Sequence, residues 1–160
     1  MSPSTPDLAD QFPDTVKVVA AGFATYGGRE AFGGPARTVR CFEDNSKVKE
    51  LAGQPGKGCV MVVDGAESLR KALLGDMIAA AAADNGWAGF VIAGAVRDVE
   101  VLRTLDLGVK AMGSIPLKTE KLGLGEVDIP VAIGHVEINP GDLVYADATG
   151  IVVLPAETAV

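Results

Sequence analysis

The sequence predicts a layered α/β domain with a mixed sheet, and three observations carry that prediction. Two apolar runs, KGCVMVVDG and WAGFVIAGAV, are too continuous for strands with one solvated face and read as buried strands. Between them lies LLGDMIAAAAADNG, whose alanines favour a helix starting near Gly75 and whose Asn85-Gly86 stops it. The front of the chain is therefore βαβ-like. After Gly108 strands and turns alternate almost without helix, which argues against a complete doubly wound fold.

The elements follow in order. Thr5-Pro6-Asp7 opens a short helix through LADQF. VKVVA and PARTVRCF read as strands, separated by FATYGGREAFGG, which the glycines mark as a mobile loop. Asp44 or Asn45 caps a helix through KVKELAG, and Gly53 is placed to end it. DVEVLRTLDLG is a short helix after WAGFVIAGAV. Then come VKAMGSI, DIPVAIG, HVEI, the turn NPGD, LVYAD and GIVVLP, all strands but for the turn.

Bulk properties narrow the function. Residues 1–160 predict one domain, long enough to bury a real core. A composition that is 48% apolar places the chain among globular proteins. A net charge of −7 lacks the basic footprint needed for direct binding to nucleic acid or an anionic membrane. It leaves room for a protein partner or a divalent cation. MSPSTPDLADQ has neither the basic start nor the apolar core of a signal peptide, and no apolar run approaches the ~20 residues of a membrane span. The expectation is a cytoplasmic protein. Cys41 and Cys59 sit in strand-like segments and are expected to be reduced core residues.

The run Ala88–Val96 ends abruptly in Arg97 and Asp98, and 20 residues lie between Asp76 and Arg97. About ten helical residues descend roughly 15 Å from the top of the sheet. Six strand residues climb back about 20 Å. Asp76, Arg97 and Asp98 should then share the edge at the carboxyl ends of parallel strands, where α/β folds place ligands. Such a group suits a hard cation, Mg²⁺ or Mn²⁺, with Asp98 as direct ligand and Asp76 orienting a water. Arg97 offers a planar fork for a substrate carboxylate. The backbone N–H groups of Gly75, Asp76, Met77 and Ile78 form a helix N-terminus that favours anionic oxygens. These parts fit a 2-oxo acid whose cleavage passes through an enolate. The plainer alternative is a solvated strand end, with Asp98 capping the helix that follows it and Asp76 complementing its own helix dipole.

Three segments, VVDGAESLRKALLGDMIA, NGWAGFVIAGAVRD and INPGDLVYADATGIVVLP, resemble the regulator-of-ribonuclease-activity A (RraA) family and the related class II 4-hydroxy-4-methyl-2-oxoglutarate aldolases. The family's Asp-x20-Arg-Asp motif falls on Asp76, Arg97 and Asp98. The resemblance implies a swivelling β/β/α fold, phosphohistidine-domain-like, and a homotrimeric ring. It implies metal-dependent cleavage of 4-hydroxy-4-methyl-2-oxoglutarate to two pyruvates, with oxaloacetate decarboxylation as a side activity. It also implies metal binding by Asp98, substrate binding by Arg97 and substrate contact by Gly75–Ile78. The longer aldolases carry further terminal segments, including a glutamate from a neighbouring subunit near the metal, and no residue here is matched to it. Some short members bind and inhibit an endoribonuclease, so a non-catalytic regulator with a ribonuclease partner is the competing class.

Other chemistries find less support. Methyltransferase labels occur in this family, yet no G-x-G-x-G turn follows VMVVDG, and KLGLGEVD lacks the strand–turn–helix context. Lys71, Lys110 and Lys118 are flanked by turn or polar residues and read as solvated, not as Schiff-base lysines. His135 reads as a structural strand residue, and Glu100 and Glu137 as exposed carboxylates.

Overall fold

A computed structural model describes residues 3–160. Helix α1 (Thr5–Gln11) is capped by Ser4, whose hydroxyl accepts from the Asp7 amide. The front half continues with β1 (Lys17–Val18), β2 (Ala24–Thr25), β3 (Phe32–Arg40), α2 (Ser46–Ala52), β4 (Val60–Asp64) and β5 (Ala72–Leu74). Next are α3 (Asp76–Asp84), β6 (Gly89–Val96), α4 (Val99–Leu102) and β7 (Gly108–Ser114). The back half is β8 (Glu126–Val127), β9 (Val131–Ile133), β10 (Val136–Ile138), β11 (Leu143–Ala146) and β12 (Ile151–Leu154).

The main sheet is mixed, in the order β1-β12-β11-β3-β4-β6-β7-β2, with β5 beside β6 and β8 beside β3. Strands β3, β4, β6 and β7 run parallel. β3 joins the two halves. Its first residues pair antiparallel with β11, and Ala36–Arg40 pair parallel with β4.

The apolar runs are continuous because both faces of the parallel strands are covered. Met61, Val63, Phe90 and Ile92 pack toward α2 and α3 with Val48, Leu51, Ala79 and Ala82. Val60, Val62, Val91 and Ala93 pack on the opposite face against Val131, Ile133, Val136 and Ile138 of the β9–β10 hairpin. The layers are therefore β/β/α. Helix α1 closes the outside of β12 through Leu8, Val152 and Leu154.

Several expectations are corrected. FATYGGREAFGG is not simply a loop, because Ala24–Thr25 pair with β7 and Phe32–Gly34 begin β3. Ala72–Leu74 form a short parallel strand on the end of β6 that the sequence reading did not include, and the helix then begins at Asp76, next to the expected Gly75. The helix after Asp98 keeps only Val99–Leu102. His135 lies in the turn between β9 and β10, exposed and at a φ of 64°, not in a strand. Cys41 and Cys59 are free thiols, and burial pushes the Cys41 thiol up to about 12.

Phe32 packs flat on a glycine floor, where a Cβ on Gly89 would approach its ring to 2.6 Å and one on Gly108 would overlap it. Gly108→Ala should therefore destabilise the fold by about 1–3 kcal/mol through overpacking. A urea midpoint that falls at constant m-value is the expected reading.

Candidate active site

The three charges meet at the carboxyl edge of the parallel strands, as their spacing requires. The strand β5 leads straight into α3, and the Arg97 amide donates to the Leu74 carbonyl at 2.9 Å. This stitches the end of β6 to the start of α3. Asp98 then turns into the left-handed region at φ 56° and ψ 40°, which aspartate tolerates better than most side chains. Its Oδ2 accepts the backbone N–H of Asp76 at 3.0 Å.

That hydrogen bond shows which helix the Asp98 carboxylate serves. The side chain makes no capping hydrogen bond to its own helix, α4. It caps α3 instead, from across the sheet edge. Asp76 is the first residue of α3, with its side chain exposed. One amide proposed for an anion, that of Asp76, is thus already satisfied by Asp98. The amides of Met77 and Ile78 lie in the same first turn, which has no intrahelical acceptors. Gly75 makes the approach possible, since a Cβ there would sit 2.8 Å from Asp98 Oδ2 and 3.3 Å from Arg97 Nε.

Arg97 is half-buried and held at two points. Its Nη1 donates to the Pro116 carbonyl at 3.4 Å, and its Nε lies 3.9 Å from Asp98 Oδ2. It lines two adjoining cavities. One of about 360 Å³ includes Asp98, Val99, Glu100, Ser114 and Pro116. The other, about 120 Å³, includes Gly75, Asp76, Met77, Ile78, Asn45, Lys49, Lys118 and Lys121. All the sequence-predicted site residues fall within this one region.

The segment after β7 contributes more than the sequence suggested. Its backbone bridges β5, with the Ala72 amide donating to the Leu117 carbonyl and Ala72 paired to Lys118. Buried Thr119 donates its hydroxyl to Asn45 Oδ1 at 2.7 Å, and Asn45 Nδ2 donates to the Leu73 carbonyl at 3.1 Å. Buried Asp44 accepts the amides of Leu122 and Leu124 on Oδ2, and the amide and hydroxyl of Ser46 on Oδ1. Burial alone would push the Asp44 carboxyl up, but these hydrogen bonds outweigh it and hold it below the usual aspartate range. The same strand-end argument that located Arg97 applies to β7, the next parallel strand, and would have found Lys118.

Two further expectations are settled by position. Lys110 is not solvated but only 4% exposed on β7, and burial pushes its ammonium down against the opposing pull of Asp147 and Glu30. It lines neither cavity. Glu100 and Glu137 are exposed, as expected, and Glu100 borders the larger cavity. Among the described residues no three His, Cys, Asp or Glu side chains cluster as a complete metal site.

The sequence profile of a family described as RraA-like, Aldolase/RraA, matches residues 5–153. A protein of Ectopseudomonas mendocina, provisionally named 4-hydroxy-4-methyl-2-oxoglutarate aldolase, is 55% identical over 94% of this chain and 93% of its own. The RNA-processing inhibitor RraA from Thermus thermophilis superposes with a TM-score of 0.95 at 43% identity, covering 99% of this chain and 96% of that one. A Geobacillus kaustophilus structure titled as an S-adenosylmethionine:2-dimethylmenaquinone methyltransferase gives the same score and identity, over 97% and 96% of the two chains.

Gly75→Ala should displace the Asp98 carboxylate from α3 without unfolding the protein. Amide exchange at Asp76 should then accelerate while that of Ala82, deeper in the same helix, stays unchanged.

Proposed function

This chain belongs to the RraA-like family, and on that footing we propose that it is a divalent-metal-dependent carbon–carbon lyase. Its substrate would be 4-hydroxy-4-methyl-2-oxoglutarate, cleaved to two pyruvates, with oxaloacetate decarboxylation as a secondary activity. The observation that carries the reading is the hydrogen bond from the Asp76 amide to Asp98 Oδ2, which gathers Asp76, Arg97 and Asp98 around one cavity edge.

The residues fit a hard cation held largely by water. Mg²⁺ is often bound through one or two carboxylates, and Asp98 has one oxygen engaged by the Asp76 amide and an exposed side chain. When bound there, a divalent cation supplies Lewis-acid polarisation of the substrate's 2-oxo group. Arg97 takes the C1 carboxylate in its fork, and its contact with the Pro116 carbonyl fixes the plane of that fork. Asp76, exposed at the start of α3, holds a water that accepts the C4 hydroxyl proton. The C3–C4 bond breaks, its electron pair passes to the pyruvate enolate, and C4 becomes the ketone of the second pyruvate. The proton returns to C3. With oxaloacetate the same bond releases CO₂, and protonation at C3 again completes pyruvate. Stabilising the enolate is common to both, so one site serves both substrates.

A second reading rests on the resemblance to the Thermus thermophilis RNA-processing inhibitor: a non-catalytic regulator that binds a ribonuclease through an acidic surface. The methyltransferase reading lacks its site, since β4 is followed by Gly65-Ala66-Glu67-Ser68 and no glycine-rich cofactor turn.

We also propose a homotrimer. Met77, Leu117, Leu122 and Leu124 are exposed around the site, Met77 at 81%, and an apolar rim of this kind suits a second copy of the chain. Light scattering at micromolar concentration should give three times the chain mass. A monomer would reject the assembly.

The lyase reading is tested by pyruvate release from both substrates with Mg²⁺ or Mn²⁺. Turnover should vanish with chelator and return with added metal. Asp98→Ala should abolish it, and Arg97→Lys should damage it substantially because the fork is lost. Asp76→Asn should cost about 10–100-fold, mostly through metal affinity. All three variants should stay folded. Full activity in Asp98→Ala would overturn the assignment, and no metal-dependent turnover of either substrate would favour the regulator.

A further inference from the structure

Two backbone carbonyls hold Arg97, and both trace back to one buried side chain. The Leu74 carbonyl accepts the Arg97 amide at 2.9 Å, and the Pro116 carbonyl accepts its Nη1 at 3.4 Å. These carbonyls belong to separate segments, β5 and the stretch after β7, which the Ala72 amide joins by donating to the Leu117 carbonyl at 2.8 Å. The side chain of Asn45 bridges the same two segments. Its Nδ2 donates to the carbonyl of Leu73, next to Leu74, at 3.1 Å. Its Oδ1 accepts the hydroxyl of Thr119, on the stretch that begins with Pro116, at 2.7 Å. The Asn45 backbone amide donates to that hydroxyl as well, at 3.3 Å. Asn45 and Thr119 are both buried, at 5% and 3% exposure, so no water competes freely for these bonds.

This is an unusual use of the residue. Asn45 stands at the N-cap of α2, where an asparagine side chain normally accepts an amide of the first turn. Here it makes no capping bond, and Asp44 takes the Ser46 amide instead. The polarity of the Asn45 side chain is fixed by its partners. The Thr119 hydroxyl accepts from the Asn45 amide and so directs its proton at Oδ1, which leaves Nδ2 for the Leu73 carbonyl. We propose that Asn45, acting with Thr119, is a positioning residue for Arg97: it locks together the two segments whose carbonyls aim the guanidinium. A planar fork matches a carboxylate in one plane, so a shift of either carbonyl re-aims it. The consequence for turnover rests on the reading of Arg97 as the receptor for the substrate carboxylate. On that reading, a misplacement of about 1 Å costs up to about 100-fold in rate.

The two halves of the bridge are tested separately. Asn45→Asp keeps the shape and the acceptor for Thr119 but replaces the donor to Leu73 with an oxygen. Thr119→Val keeps the shape and removes the hydroxyl, and Thr119→Ser returns it. The readout is NMR relaxation of the Arg97 Nε–H in the full-length protein without substrate, its signal identified by its loss in Arg97→Lys. The order parameter of that group should be high in wild type and should fall below about 0.6 in Asn45→Asp and in Thr119→Val, with Thr119→Ser restoring it. The Arg29 Nε–H, paired with Asp106, and the Trp87 indole N–H, held by the Gln54 carbonyl, should keep their wild-type values and report an intact fold. If only one of the two variants folds, it decides alone, since each breaks one half of the bridge. On the lyase reading, kcat/KM for pyruvate release should fall about 10–100-fold in the same two variants and recover in Thr119→Ser. A mobile Arg97 in wild type, or an Arg97 as ordered in either folded variant as in wild type, would overturn the positioning role. Because order is read without turnover, loosening of Arg97 beside an absence of pyruvate release in wild type would reject the lyase and leave the positioning role standing.

Discussion

The site hangs on one hydrogen bond, from the Asp76 amide to the carboxylate of Asp98. It joins the start of a helix to the end of a strand 22 residues later, and it exists only because Gly75 leaves room for the carboxylate. Moving either end moves everything the site uses. Asp98 would lose the contact that fixes one of its oxygens, and α3 would regain an unsatisfied amide at its positive end. Arg97 is tied into the same junction through its backbone, at the Leu74 carbonyl. The left-handed turn at Asp98 costs about 1 kcal/mol for a residue with a Cβ. That strain is offset where the carboxylate reaches the helix, so conformation and contact support one another.

Rigidity at this junction comes from the layers beneath it. Strand β6 is buried along its whole length, between α2 and α3 on one face and the β9–β10 hairpin on the other. Each buried Val, Ile or Phe contributes about 1.5–3 kcal/mol relative to exposure. A strand held this way presents its last residues with little freedom, which suits side chains that must be aligned within a fraction of an ångström. β3 extends the same constraint to the antiparallel half, because one strand serves both ladders.

Much of this was legible in the sequence for a specific reason. Continuous apolar runs and an alanine-rich helix are local signals, and together they fix the rise and fall of the chain from Asp76 to Arg97. What escaped depends on partners distant in sequence. Ala72–Leu74 is too short to read as a strand and becomes one only against the end of β6. Lys110 alternates with Val109 and Ala111 along β7 and is only 4% exposed, because the strand is covered on the face opposite those two as well. Asp98 had two helices within reach, and composition does not say which amide it will choose. Asp44, Asn45 and Thr119 lie more than 70 residues apart in their hydrogen bonds, so nothing in either segment announces the other.

The distribution of charge follows from the same junction. A net charge of −7 disfavours an anionic ligand over the molecule as a whole, while four cations lining one cavity favour it there. A helix N-terminus alone would attract any anion weakly. Here Asp98 already occupies the Asp76 amide, which lowers the pull on an anion at α3 and leaves more of the attraction to the cationic side chains beside it. A carboxylate that serves as an internal cap thus shifts the pull on anions from the helix end, where it is general, to side chains whose positions the fold fixes.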